Sequence, residues 1–166
     1  MQIKIKRLSD DAVIPEYAHH DDAGADVYST ETCVLRPLER RLFSTGICLE
    51  IPEDFEVQIR PKSGLALNYG LTVLNSPGTI DAGYRGEIKI LMINLGDTVV
   101  SITKGQKIAQ LVASKVIRLE FVDHDLLSDS VRSEGGFGST GLGQLGLFTS
   151  GSSLPASSET EAKDLL

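Results

Sequence analysis

Residues 55–60 read Phe-Glu-Val-Gln-Ile-Arg, and residues 61–66 continue Pro-Lys-Ser-Gly-Leu-Ala. Phe55, Val57 and Ile59 alternate with Glu56, Gln58 and Arg60, a period of two that puts apolar side chains on one face of a half-buried strand. Pro61 has no N–H to give a sheet ladder, so the strand ends there. The same alternation runs through residues 2–6, where Ile3 and Ile5 share a face. It also opens Glu87-Ile88-Lys89-Ile90 before Leu91-Met92-Ile93, a run that suggests burial on both faces. Further strands are predicted over 25–29, 42–51, 71–74, 98–102 and 108–116. Turn residues stand between them: Pro52-Glu53-Asp54, Asn68-Tyr69-Gly70, Ser76-Pro77-Gly78, Leu95-Gly96-Asp97 and Lys104-Gly105. The only helix predicted before the C-terminal end is a short one over 63–68, with Ser63 placed to cap it. Many short strands at this spacing define an all-β chain: a sandwich, a jelly roll or a barrel.

The 166 residues suffice for one domain with a real core, and 41% hydrophobic with 23% charged residues is ordinary for a globular chain. The net charge of −7 argues against a surface for duplex nucleic acid, which needs clustered Lys and Arg. A single nucleotide needs only a local cationic site. No apolar run approaches a membrane span, and MQIKIKRLSDD at residues 1–11 lacks the apolar core of a secretory signal. Cys33 and Cys48 form neither a CxxC nor a zinc spacing, and two free thiols fit a reducing, cytoplasmic compartment. Composition shifts near Ser130 to Gly and Ser, and after Phe148 the chain reads TSGSSLPASSETEAKDLL, too polar to offset the entropy of ordering. The expected organisation is a core over 1–129, a mobile Gly-rich arm over 130–148 and a flexible tail over 149–166.

Residues 141–146 match GxGxxG, but too little chain follows to build the strand–helix–strand unit of a dinucleotide site. His19-His20-Asp21-Asp22 lie on consecutive residues that point apart, so they read as a solvated loop rather than a metal site. His124, between Asp123 and Asp125, reads as a surface histidine, and no nucleophile–His–acid set suggests covalent catalysis. Arg60-Pro61-Lys62-Ser63-Gly64 places two cations, a hydroxyl and a glycine at a helix start, which is either an anion site or a plain N-cap. Residues 78–86, GTIDAGYRG, resemble the tip of a hairpin whose glycines let a ligand approach the backbone. There Asp81 follows Ile80, so partial screening from water would suit it to act as a general base, or it is a common turn Asp. Tyr84 is an aromatic platform or a core residue. Residues 135–141, GGFGSTG, could wrap phosphate with N–H groups and lay Phe137 over a base, or be a Gly/Ser linker.

Five segments in order carry a resemblance: AGADVYS (23–29), RPKSGLA (60–66), NSPGTIDAGYRGEI (75–88), GQKIAQLV (105–112) and RSEGGFGSTG (132–141). The chain resembles the trimeric deoxyuridine triphosphatase (dUTPase) family over about residues 1–141. The resemblance implies a β-jelly roll of the β-clip type, a homotrimer with three interfacial sites, and a fifth motif arriving on a mobile arm. It implies hydrolysis of dUTP to dUMP and pyrophosphate with Mg2+, which limits uracil in DNA and supplies dUMP for dTMP synthesis. No direct nucleic-acid binding and no membrane are expected. By that resemblance Asp81 orients the water that attacks the α-phosphorus, and Tyr84 lies beneath the deoxyribose. Asn75, with backbone near Thr79, Ile80 and Lys89, reads uracil's edge. Lys62, Ser63, Gly64 and Gln110 meet the phosphates, and Asp26 holds magnesium-bound water. Arg132, Phe137, Gly138, Ser139 and Thr140 form the arm, with Phe137 over uracil. Three positions depart from the family's usual pattern: Lys62 for Arg, Gln106 for Asp and Ser133 for Gly. Two other functions are weighed: a dCTP deaminase on the same fold, which wants a Glu where Ala82-Gly83 follow Asp81, and a trimeric module that uses the nucleotide as a regulatory switch.

Overall fold

The structure is a computed structural model that describes residues 2–136 and 139. Its elements are β1 (Lys4–Arg7), β2 (Ala25–Tyr28), β3 (Cys33–Leu35), β4 (Arg40–Ser44), β5 (Ile47–Glu50), β6 (Phe55–Arg60), α1 (Ser63–Tyr69), β7 (Leu71–Val73), β8 (Gly78–Ile80), β9 (Lys89–Asn94), β10 (Val100–Ile102) and β11 (Lys107–Lys115). They form a four-stranded sheet in the order β2-β11-β6-β8, a three-stranded sheet β4-β9-β7, and the pairs β1-β5 and β10-β3. Every pairing is antiparallel.

The alternation in β6 sets the first sheet. Val57 and Ile59 lie opposite Ala113 and Leu111 on β11 and opposite Ile80 and Gly78 on β8. Val57, Ile59, Ile80 and Leu111 join Phe43, Leu71, Ile90 and Met92 of the second sheet in one hydrophobic core. Phe43, Leu35, Ile47, Ile90, Ile102 and Ile108 have essentially no exposed surface. Each buried aliphatic or aromatic side chain of this kind contributes about 1.5–3 kcal/mol relative to leaving it in water. The all-β, jelly-roll-like architecture agrees with the expectation from the sequence.

Several local expectations are corrected. The strand expected over 42–51 is two strands, because Thr45-Gly46 breaks it. Gly46 sits at φ +69, and a Cβ there would come within 2.8 Å of the Ala12 side chain. β3 and β8 carry no alternation long enough to be read from three residues each. The run Leu91-Met92-Ile93 keeps strict alternation: Ile90 and Met92 are buried, Leu91 and Ile93 only half-buried. Ser63 is not the cap of α1. Lys62 occupies that position in extended conformation with no side-chain cap bond, because an ammonium has no acceptor to offer the helix N–H groups; it pairs with Asp26 instead. Gly70 ends the helix in the left-handed region at φ 66.

The segment after β8 is not a hairpin tip. β8 pairs with β6, whereas β9 pairs with β4 and β7, so residues 81–88 cross from one sheet to the other. The crossing is held by the β4–β5 turn. Gly46 N–H donates to Glu87 Oε1 (2.9 Å), Thr45 Oγ1 donates to the Ile88 carbonyl (2.5 Å), and Ile88 N–H donates to the Ile47 carbonyl (2.8 Å).

Residues 1–120 form one compact unit and the chain from Phe121 onward a second. Within the second, Ser133 N–H bonds the Ser130 carbonyl and Gly135 N–H the Arg132 carbonyl, so residues 130–135 are turns. Ser133, where the resemblance noted above would put Gly, sits at φ 43 in the region that favours glycine. Phe137, Gly138, Thr140 and the tail over 149–166 lie outside the described residues.

Candidate active site

Two assemblies hold the residues singled out in the sequence. The first is an open cavity of about 570 Å³ lined by Asn75, Gly78, Thr79, Ile80, Asp81, Tyr84, Glu87 and Lys89, with Leu42, Ile59 and Ile88 as apolar wall. One stretch of chain, β8 and the crossing after it, supplies most of this lining. Gly78 is buried, and a Cβ there would lie 3.2 Å from Ile59 Cβ and 3.3 Å from the Asn75 amide nitrogen, so glycine makes room for Asn75. Tyr84 N–H bonds the Asp81 carbonyl (3.0 Å), and Tyr84 Oη donates to the Glu87 carbonyl (3.0 Å). The ring therefore folds over Gly86, where a Cβ would lie 2.4 Å from the phenol oxygen. Arg85 Nη1 braces the same loop from the carbonyls of Ala82 (2.5 Å) and Tyr84 (2.9 Å). Asp81 is exposed, not screened as its neighbour Ile80 suggested, because Ile80 points into the core. Glu87, which sequence reasoning passed over, lines the cavity and pairs with Lys89 (3.4 Å). Its only sequence signal is its place at the end of the third motif.

The second assembly is charged. Asp26 on β2 is 2% exposed. Lys62 Nζ pairs with its Oδ1, Gln110 Nε2 lies 3.4 Å from the same oxygen, and Lys107 Nζ pairs with Oδ2 at 2.7 Å. Burial alone would raise the Asp26 carboxyl. The hydrogen bonds and charges of Lys107 and Lys62 outweigh it and hold the group below its ordinary value. The hydrogen bond to Asp26 in turn holds Lys107 above the usual lysine value. Gly24 seats Gln110: a Cβ there would come within 3.1 Å of Gln110 Cβ.

Lys107 is the functional candidate that the sequence concealed. On a regular strand, residues 107 and 110 point to opposite faces. Here Lys107 lies opposite Tyr28, Ala109 opposite Val27 and Gln110 opposite Asp26, with a β-bulge between Lys107 and Ala109. The extra residue resets the alternation, so Ile108 and Ala109 are both buried and Lys107 shares a face with Gln110. No sequence pattern marks that bulge.

The two assemblies lie toward different edges of the four-stranded sheet, the cavity along β8 and the cluster at β2 and β11. Asp26, Gln110 and Arg60 stand in one row across β2, β11 and β6. Ile59, which walls the cavity, is the next residue on β6 and points the other way. Ser63 and Gly64 are exposed at the start of α1. Arg132 and Ser139 belong to the second unit, where Arg132 Nε donates to the Gly135 carbonyl (2.8 Å) and Ser139 N–H to the Gly136 carbonyl (3.0 Å). The histidines of residues 19–22 do form a loop: His19 N–H donates to Asp22 Oδ2 (2.8 Å), and His20 meets Asp21 (2.8 Å).

An all-β scaffold with a pocket of backbone edges, one ring and a carboxylate, plus a separate cationic cluster, has the equipment to hold a small flat molecule bearing an anion. The comparisons with known proteins are specific. The dUTPase family model matches residues 10–141, and the chain belongs to that family. It is 53% identical over 139 residues to the deoxyuridine 5'-triphosphate nucleotidohydrolase of Clostridium tetani, covering 84% of this chain and 96% of the relative. It is 51% identical over 142 residues to that of Crocosphaera subtropica, covering 86% and 100%. Among solved structures it is similar to the Staphylococcus bacteriophage 80alpha dUTPase with dUpNHpp, at TM-score 0.80 and 31% identity over 85% of this chain and 99% of the other. A mutant dUTPase from phage phi11 of S. aureus, described with a structural Mg(II) ion, matches at TM-score 0.73 and 26% identity over 78% and 100%.

Proposed function

We propose that the protein hydrolyses dUTP to dUMP and pyrophosphate. The observation that carries this is the cavity, where Asp81, Tyr84 and Asn75 meet over the backbone of β8. Uracil enters against the strand edge at Thr79 and Ile80, with Asn75 and Lys89 at its rim. A fixed backbone offers one donor–acceptor pattern, which cytosine mismatches, and the depth of the pocket rejects a thymine methyl. The Tyr84 ring, tied through its hydroxyl to Glu87, lies under the deoxyribose and leaves no room for a 2′-hydroxyl. Asp81, free at the mouth of the cavity, accepts a proton from the water that attacks the α-phosphorus.

The phosphates fall to Lys62, Ser63, Gly64 and Gln110, and the segment bearing Arg132, Phe137, Gly138, Ser139 and Thr140 closes over the nucleotide. Because β8 with the cavity and β2 with the charged cluster are opposite edges of one sheet, a second copy would bring a cluster to a cavity. The outer face of β4 and β9 is suited to such contact: Leu42 is 51% exposed, pairs with half-buried Leu91, and lies at the cavity's edge. A homotrimer with shared sites fits this arrangement. Magnesium enters with the substrate. Among the described residues no three His, Cys, Asp or Glu side chains are placed to hold a metal ion. Asp26, already carrying a cation on each oxygen, fits a metal met through water on the triphosphate rather than a resident ion. Bound there, the metal would neutralise phosphate charge. Among the described residues no helix is long and apolar enough to cross a membrane. The proposed location is the cytoplasm, as the two free thiols Cys33 and Cys48 suggest.

The deciding experiment is pyrophosphate release from dUTP, dTTP, dCTP and UTP. Release from dUTP alone is expected. Ammonia release from dCTP would favour the deaminase, and tight dUTP binding without turnover would favour a regulatory module.

A further inference from the structure

We propose that Lys107 is a positioning residue for this reaction: it holds the Asp26 carboxylate in place while Lys62 leaves it for the triphosphate. The proposal rests on the dUTPase function above. It starts from the division of the carboxylate. Oδ1 has two partners, Lys62 and Gln110, whereas Oδ2 has Lys107. Asp26 is 2% exposed, and a buried carboxylate stripped of every cation is strongly disfavoured. Two ammonium groups on one carboxylate leave a net positive charge, which is what an arriving polyphosphate meets. The partners differ in what can replace them. If Lys62 moves to phosphate, the Gln110 amide already lies beside Oδ1. If Lys107 moved, Oδ2 would lose its cation with no amide beside it.

The backbone makes the same distinction. Lys62 sits at the junction of β6 and α1, beside the exposed Ser63 and Gly64 of the phosphate motif. Lys107 begins β11, locked into register against Tyr28, with its ammonium 6.0 Å from the centre of that ring. The bulge after Lys107 turns it to the Asp26 face, as shown above. Lys62 is thus the exchangeable cation and Lys107 the permanent one.

Three variants test this, with kcat and KM for Mg-dUTP and calorimetric binding of pyrophosphate without metal as readouts. K107M is expected to lower kcat by about tenfold or more, the size of effect seen when a partner that orients a working carboxylate is removed. Pyrophosphate affinity should fall as well, but by less than in K62M, since Lys62 still reaches the phosphate and leaves Oδ1 to the Gln110 amide. K107R should recover most of kcat, because any cation on Oδ2 serves. K62M should weaken pyrophosphate binding by about tenfold or more. The proposal is overturned if K107M weakens pyrophosphate as much as K62M, which would make Lys107 a phosphate ligand. It is also overturned if K107M keeps kcat within about twofold, or if K107R fails to recover it. Should K107M not fold by circular dichroism, K107Q, which is uncharged but polar, carries the same expectation. Absence of turnover in the wild type would instead sink the dUTPase function itself.

Discussion

The cavity and the charged cluster are built in opposite ways. The cavity comes chiefly from one continuous stretch, β8 and the crossing after it, braced by short-range bonds such as Tyr84 to Glu87. The cluster comes from β2, the β6–α1 junction and β11, with partners 36 and 84 residues apart in sequence. Their carboxylates differ accordingly. Asp81 is exposed and waits for what covers it. Asp26 is buried and already carries two lysines. An exposed carboxylate is free to take a proton, whereas a buried, paired one is a fixed electrostatic feature.

Exchanging the two carboxylates for amides sharpens that contrast. Asp81→Asn is expected to lower turnover of dUTP by about 10²–10⁴-fold, as removal of a general base does, while dUpNHpp still binds and the fold is unchanged. Near-normal turnover would take Asp81 out of the chemistry.

Truncation before Arg132 should impair turnover far more than thermal stability, since the buried core among the described residues ends at Leu111. Mixing truncated protomers with Asp81→Asn protomers should restore part of the activity, if one copy completes the site of another. No recovery after proven subunit exchange would mean that each chain builds its own site.

The ring of the cavity sets sugar selectivity. Wild type should strongly prefer dUTP over UTP, and Tyr84→Ala should narrow the ratio of kcat/KM values by about tenfold or more, within the range for a lost pocket contact. Equal values for the two nucleotides in the wild type would refute the steric role.

The cluster should show itself in acid stability. Asp26 has a folded-state value below its ordinary 3.8, so its contribution is complete above that value and is lost as pH falls through the lower one. Asp26→Asn should flatten that part of the stability profile measured by urea unfolding between about pH 5 and pH 2. An unchanged acid limb would mean that the lysines do not stabilise the folded carboxylate. The smallest effect is expected from deleting residues 149–166: kcat for dUTP should change little, and a loss of activity would give that segment a role.

Much of this was legible beforehand. The strand residues 55–60 were read to the residue, because alternation and Pro61 are both local signals. The third motif held every cavity residue proposed for substrate except Lys89, the residue after it, since that cavity is a nearly continuous segment. Sheet membership was not legible. Residues 78–88 looked like a hairpin because two strands flank a Gly-rich turn, yet the strands joined different sheets once the β4–β5 turn took hold of Glu87 and Ile88. The helix begins at Ser63 as read, but Ser63 is its first residue and Lys62, paired with Asp26, stands at the cap position.

By itself the sequence determined an all-β chain, the place of its turns, and the chemistry available at Asp81, Tyr84 and Asn75, because periodicity, proline and glycine act within a few residues. The tertiary structure alone decided which residues 80 apart share a carboxylate, and that Lys107 is among them. Register and a single bulge settle that question, and both arise from the pairing of strands, which no local preference specifies.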